Sequence, residues 1–310
     1  MHCTYSFPLW PQDFFKYLDV LVFVEATIYQ LDEDNEALAA RGHAEPGRQL
    51  LEESVLTRVL EGLGLMDDGI KAGLKQGDVY WEGERKLCSA MRSRGCIPSH
   101  PTVIIEASPV GQENGLSSRA DPAGLAEQQS PGQEASKMLG ELPKLPDPRQ
   151  HKQWEHQEQQ APWQGFTLEE ALAVHESKSF DYRVMHLILW KLVGRQPQPS
   201  LLAFLKVDEL LVDIGDDLTD YEDDVERNSF NIFRCYAHLF GADAPCMLVQ
   251  RISDLEQLHA QLLARLPPHL QAHWQTRHKE ASVEGGSCDG GSWEFPSVIY
   301  DEAAFREDED

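Results

Sequence analysis

DIGDDLTDYEDDVERNSFN, Asp213 to Asn231, decides how this chain is read. Leu218, Tyr221 and Val225, with Leu211 and Ile214 before them, recur at steps of three and four. That spacing puts one apolar stripe on a helix and turns it towards a core. Asp216, Asp220 and Asp224 follow at i, i+4 and i+8, which stacks three carboxylates on a neighbouring face. Like charges at that spacing weaken a helix, so local stability does not account for them. Two readings stand at this point. One is a solvated face in a very acidic protein; the other is a set of oxygen ligands for a hard cation such as Mg²⁺.

Working outward, the same periodicity recurs over most of the chain. It predicts helices over 11–41, with Phe15, Leu18, Val22, Glu25 and Tyr29 in step and Leu21, Phe23, Val24 and Ile28 beside them. Further helices are expected over 48–63, on Leu51, Val55, Val59 and Leu63, and over 70–91. After Thr167 and Glu170, spaced as a capping box, they are expected over 182–193, 200–227, 230–240, 247–266 and 269–280. Thr102 to Ile105 is a lone β-like run. Pro, Gln, Gly, Ser and Glu dominate 106–164, a composition that cannot bury enough apolar surface to offset chain entropy, so this segment reads as a disordered insertion. The expected organisation is an N-terminal helical half (1–105), the insertion (106–164), a C-terminal helical half with the acidic helix (165–283) and an acidic tail (284–310).

The balance of 27 Lys and Arg against 52 Asp and Glu, a formal charge of −25, argues against nucleic-acid partners and anionic membrane surfaces. No window approaches the roughly 18 apolar residues of a membrane helix. Six scattered cysteines without zinc spacing suit free thiols in a reducing compartment. With no signal or transit peptide in view, an intracellular, cytoplasmic protein is expected, a plastid being the alternative.

The acidic stretch resembles the second metal motif of class I terpene synthases, Asn/Asp-Asp-Leu-x-Ser/Thr-x-x-x-Glu, with Asp216, Asp220 and Asp224 at the three ligand positions. Asp at the middle position is also similar to the Asp-Asp-x-x-Asp motif of trans-prenyl diphosphate synthases. Asp32-Glu-Asp-Asn-Glu36 resembles the first motif of the same superfamily. The resemblance implies an all-α isoprenoid synthase-like helical bundle in which Asp32, Glu36, Asp216, Asp220 and Asp224 hold Mg²⁺. It implies ionisation of an allylic isoprenoid diphosphate, with Asp216, Asp220 and Arg183 acting in that step and Arg183 and Arg277 holding the diphosphate. Lys191 and Arg195 are alternatives to Arg183, whose bland reading is an ion pair with Asp181 or Glu176. Phe23, Tyr29, Tyr182, Trp190, Phe230 and Trp274 are candidate cavity aromatics, each by default an ordinary core residue. A homodimer is compatible with this reading. The alternatives are a catalytically silent homologue serving as a binding or regulatory subunit, and an unrelated helical scaffold.

Overall fold

A run of apolar residues at helical period has to bury one face, and the packing shows which face it is. The computed structural model describes residues 11–40, 51, 54–94, 96–97, 165–284 and 293–307. The run at 102–105 and the segment 106–164 lie outside the described residues. Helix α1 (Pro11–Ala40) buries Leu21, Val24 and Ile28, whereas Phe15, Val22 and Tyr29 are exposed. The expected stripe is therefore turned, and the residues thought to thicken it form the actual seam. Helix α2 (Val55–Gly62) repeats the lesson: Leu56 and Leu60 are buried while Val55 and Leu63 lie outside.

Helix α3 (Asp68–Arg94) is central and packs against α1. It also meets α4 (Leu168–Ser177), α5 (Phe180–Leu192) and α8 (Ile232–Phe240). Small residues allow this closeness. A Cβ added at Gly77 would fall 2.5 Å from the Phe180 ring, and one at Gly73 would fall 2.7 Å from Val184 Cγ2. Thr167 and Glu170 close the expected capping box at the start of α4: the Glu170 N–H donates to Thr167 Oγ1 at 3.2 Å, and the Thr167 N–H donates to Glu170 Oε2 at 2.8 Å. Every residue from Arg183 to Trp190 in α5 is buried, so this helix runs through the core.

The predicted helix over 200–227 is two: α6 (Pro199–Thr219) and α7 (Tyr221–Arg227), with Asp220 between them. Its apolar stripe is as expected, with Ile214, Leu218, Tyr221 and Val225 buried. Asn228 ends α7 in the left-handed conformation, φ 58°, which asparagine tolerates better than most residues. Asn231 caps α8, its Oδ1 accepting from the Arg234 N–H at 3.0 Å. The Asn-Ser-Phe-Asn sequence is thus a stop and a start, separated by the buried Phe230. Helix α8 is buried from Ile232 to His238. Helices α9 (Ala244–Arg265) and α10 (Pro268–Glu284) follow, α9 packing on both α6 and α8.

The expected acidic tail is only partly a tail. Residues 293–307 run back over the body and end in a short helix, α11 (Glu302–Glu307). Trp293, Phe295, Val298, Ile299 and Phe305 pack against the core. The Ile97 N–H donates to the Tyr300 carbonyl at 2.7 Å. Among the described residues the regular structure is all helical, with one isolated bridge between Cys96 and Asp301. Cys88 and Cys235 are buried free thiols, and Cys96 and Cys246 are exposed free thiols. No helix among the described residues is long and apolar enough to cross a membrane.

Candidate functional site

Leu201, Phe204, Leu205, Asp208, Glu209, Val212, Asp213 and Asp216 follow one another at alternating steps of three and one along α6, the spacing of a single helix face. That face forms one wall of a cavity of about 470 Å³. Tyr29 of α1, Tyr182 and Met185 of α5, and Leu270, Trp274 and Arg277 of α10 complete it. Helix α10 is fixed to α6 by Trp274. Its Nε1–H donates to Asp208 Oδ1 at 3.0 Å, and its ring meets Phe204 edge-on at 5.9 Å. His259 Nε2 lies 2.8 Å from the same Asp208 oxygen, and His278 stacks on Trp274 at 4.8 Å.

The cavity brings together Asp216, Arg277, Tyr29, Tyr182 and Trp274 of the residues singled out in the sequence. Trp190 and Phe230 are plain core, and Phe23 packs half-buried against it. Arg183 does not line the cavity. Its Nη1 donates to Glu209 Oε2, and its Nη2 reaches the carbonyls of Glu176 and Ser177. The ion pair expected with Asp181 or Glu176 is made with Glu209 instead, and the guanidinium is spent inside the wall. Of the alternatives, Lys191 pairs with Asp67 at 2.8 Å and Arg195 is exposed.

Beside the cavity the acidic motifs gather around a cation that the sequence did not single out. Lys178, in the turn between α4 and α5, donates to Asp217 Oδ1. Burial alone would push its pKa down, but Asp217, Asp213 and Asp224 together hold it well above the ordinary lysine value. The Asp217 Oδ2 accepts from the Ile232 N–H at 2.6 Å. Asp213 accepts from Ser179 Oγ–H at 2.8 Å. Asp224 accepts from Asn231 Nδ2 at 2.9 Å. Burial pushes Asp213 and Asp224 up to about 6, against the pull of Lys178. The lysine charge also acts on Asp32 and Glu36 of α1, whose carboxyls burial likewise raises. Asp32 Oδ1 accepts from Trp81 Nε1–H at 2.7 Å.

The charge of one ammonium therefore reaches carboxylates of both acidic motifs. Among the described residues no three His, Cys, Asp or Glu side chains group so as to hold a metal ion. The helical hydrogen bonds persist across Asp220, whose N–H donates to the Asp216 carbonyl and whose carbonyl accepts from the Asp224 N–H, both at 2.8 Å. Oxygens of Asp213, Asp217 and Asp224 are committed to Ser179, Lys178, Ile232 and Asn231. The residues present do not fit a ready-made Mg²⁺ centre. Sequence reasoning missed Lys178 and Asp217. The available signal was that Asp217, next to Asp216, falls on the side of the helix nearer the buried stripe.

Two further carboxylates are buried deeply. Glu84 is 1 % exposed, accepts from Asn35 Nδ2 and from the Phe230 N–H, and is raised by burial to about 8. Glu209 is raised to about 8 by burial, against the pull of Arg183. A folded pKa above the unfolded one means that the native state keeps a proton the unfolded chain has released, so stability falls as pH rises through the folded value. The histidines His175, His186 and His238, depressed by burial, are neutral when folded but half protonated when unfolded at pH 6.5, so they offset part of that fall without reversing its sign. Stability is expected to drop by on the order of 2–4 kcal/mol between pH 6.5 and 8.5, and Glu84→Gln is expected to flatten the slope. Urea denaturation at the two pH values checks it, and a midpoint that stays level or rises with pH contradicts it.

Comparison with protein-family models, with curated proteins and with solved structures found no match.

Proposed function

We propose that this chain is a catalytically silent protein of isoprenoid synthase-like architecture that holds a small apolar ligand in the cavity between α1, α5, α6 and α10. One observation carries the reading: a ring-lined cavity of about 470 Å³ lies beside acidic motifs in which Asp32, Asp217 and Asp224 are already answered by Trp81, Lys178 and Asn231. That volume falls within the roughly 300–1,000 Å³ of small-molecule sites. The free thiols support a reducing, cytoplasmic setting.

A second reading is Mg²⁺-dependent ionisation of an allylic isoprenoid diphosphate. Its specific support is that Asp216 and Arg277 line the same cavity. One assay separates the two. The protein is incubated with geranyl or farnesyl diphosphate, with and without Mg²⁺, and diphosphate release is followed. The silent reading expects no release above the protein-free rate and no rise in melting temperature with Mg²⁺ plus pyrophosphate, since a ligand bound by the native state must stabilise it. Mg²⁺-dependent release that is abolished by Asp216→Ala establishes the second reading and sinks the first.

A further inference from the structure

Helix α1 has two apolar faces and needs only one to be held in place. Packing on α3 and α5 uses the buried Leu21, Val24 and Ile28. Phe15, Val22 and Tyr29 lie on the outer side, 69, 44 and 53 % exposed. They are spaced seven and seven apart, the repeat with which one helix seats on another. Half-buried Leu18 and exposed Ala26 fill the steps between them. At Tyr29 this ridge reaches the rim of the cavity, whose lining also includes Val212 of α6, again more than half exposed. Single exposed apolar side chains are ordinary, but a strip in helical register marks an interaction surface. Charge selects what sits on it. The sequence of α1 holds seven acids and one base, Lys16, whose ammonium lies 4.9 Å from the Tyr17 ring centre. Asp19, Glu33, Asp34 and Glu36 are exposed on α1, and Asp208 and Asp216 stand one turn to either side of Val212. The bases lining the cavity are all on α10: Arg277, which pairs with Glu280 at 2.9 Å, and the imidazoles of His273 and His278. Two copies of this chain would bring such ridges together acid to acid, against a net charge of −25 on each. An anionic membrane is repelled in the same way.

We propose that the ridge of Phe15, Val22, Tyr29 and Val212 docks a basic amphipathic helix of another protein. Its apolar side chains rest on the ridge, and its Lys or Arg side chains meet the flanking carboxylates. A helix seated on Tyr29 and Val212 lies over the rim of the cavity, and its docking is independent of what the cavity holds.

The probe is a fluorescently labelled peptide of about five helical turns, with leucines at helical spacing and lysines elsewhere, titrated with the full chain and followed by anisotropy. It is expected to bind, and to weaken several-fold between about 50 and about 300 mM salt. The same peptide with glutamate in place of lysine is expected not to bind. A lysine peptide of the same composition with the leucine order scrambled should bind about tenfold more weakly. Val22→Asp removes ridge surface at an exposed position while adding negative charge. Docking on the ridge therefore expects a loss of about tenfold, whereas attraction to acid alone expects none. Equal or tighter binding to Val22→Asp, or equal affinity for the ordered and scrambled peptides, overturns the docking surface, as does no binding at all. Should Val22→Asp not fold, Phe15→Asp repeats the comparison, and the ordered and scrambled peptides on the unaltered chain decide without either variant. Light scattering on the unaltered chain is expected to show a monomer. A dimer that Val22→Asp splits gives the ridge to a second copy and overturns the assignment to another protein.

Discussion

Glu302→Ala is expected to cost about 3–5 kcal/mol of stability, the penalty for stranding a buried charge. The charge stranded is Arg234, which is wholly buried in α8. Its Nε and Nη2 donate to the two Glu302 oxygens at 2.9 and 2.6 Å, Nη2 also reaches Asn228 Oδ1 at 2.8 Å, and Nη1 donates to the Ser229 carbonyl at 3.0 Å. The carboxylate receives further contacts from His238 Nε2 at 2.8 Å and Arg306 Nη2 at 2.7 Å. Although burial opposes ionisation, those partners hold the Glu302 carboxyl far below its ordinary value. A depressed acid contributes stability above its unfolded pKa and loses it as pH falls, so the network helps at neutral pH and fails in acid. Because Glu302 begins α11, its loss should also release 293–307 and expose Trp293 and Phe295. Urea denaturation and limited proteolysis read the two effects. Glu302→Gln, which keeps the shape and one acceptor, should lie between. A Glu302→Ala variant within 1 kcal/mol of the unaltered chain, and equally resistant to protease, would refute this role for the C-terminal stretch.

That stretch also shows where sequence reading stops. Glu302 lies in an acidic, Gly-flanked segment, and its partner Arg234 is 68 residues away. Local composition describes such a segment as solvated because nothing nearby reveals the buried cation. Helical period was far more legible. The stripe of Ile214, Leu218, Tyr221 and Val225 is buried as the spacing requires, and α5 is buried over most of its length. Which side of a mostly apolar helix faces inwards was less so: on α1, Leu21, Val24 and Ile28 won over Phe15, Val22 and Tyr29 because the neighbouring helices decide it. At the site, the resemblance singled out Asp216, Tyr29, Tyr182, Trp274 and Arg277, all of which line the cavity. It could not foresee that Arg183 would be consumed by Glu209, or that a turn lysine would enter the acidic cluster.

Lys178→Met is the direct test of that lysine, with an expected loss of about 3 kcal/mol. The lower end of the buried-pair range applies because the Lys178 side chain keeps a quarter of its exposure while Asp217 keeps 2 %. Methionine retains the bulk of the stem and removes only the charge and its donors. Burial already holds Asp213, Asp217 and Asp224 high, and the ammonium is among the influences pulling them down. Without it their folded pKa values rise further above the unfolded ones, so the variant loses stability as pH rises. The deficit should accordingly be largest near pH 8 and shrink near pH 5, where these carboxyls take up protons. A packing defect alone would give the same deficit at both pH values. Mg²⁺ sharpens the outcome. If the ammonium occupies the place a divalent ion would need, Mg²⁺ should raise the melting temperature of Lys178→Met and leave that of the unaltered chain unmoved. A rise in the unaltered chain means that the carboxylates accept metal with the lysine in place. It would shift the balance from a silent binding protein towards a Mg²⁺-dependent one.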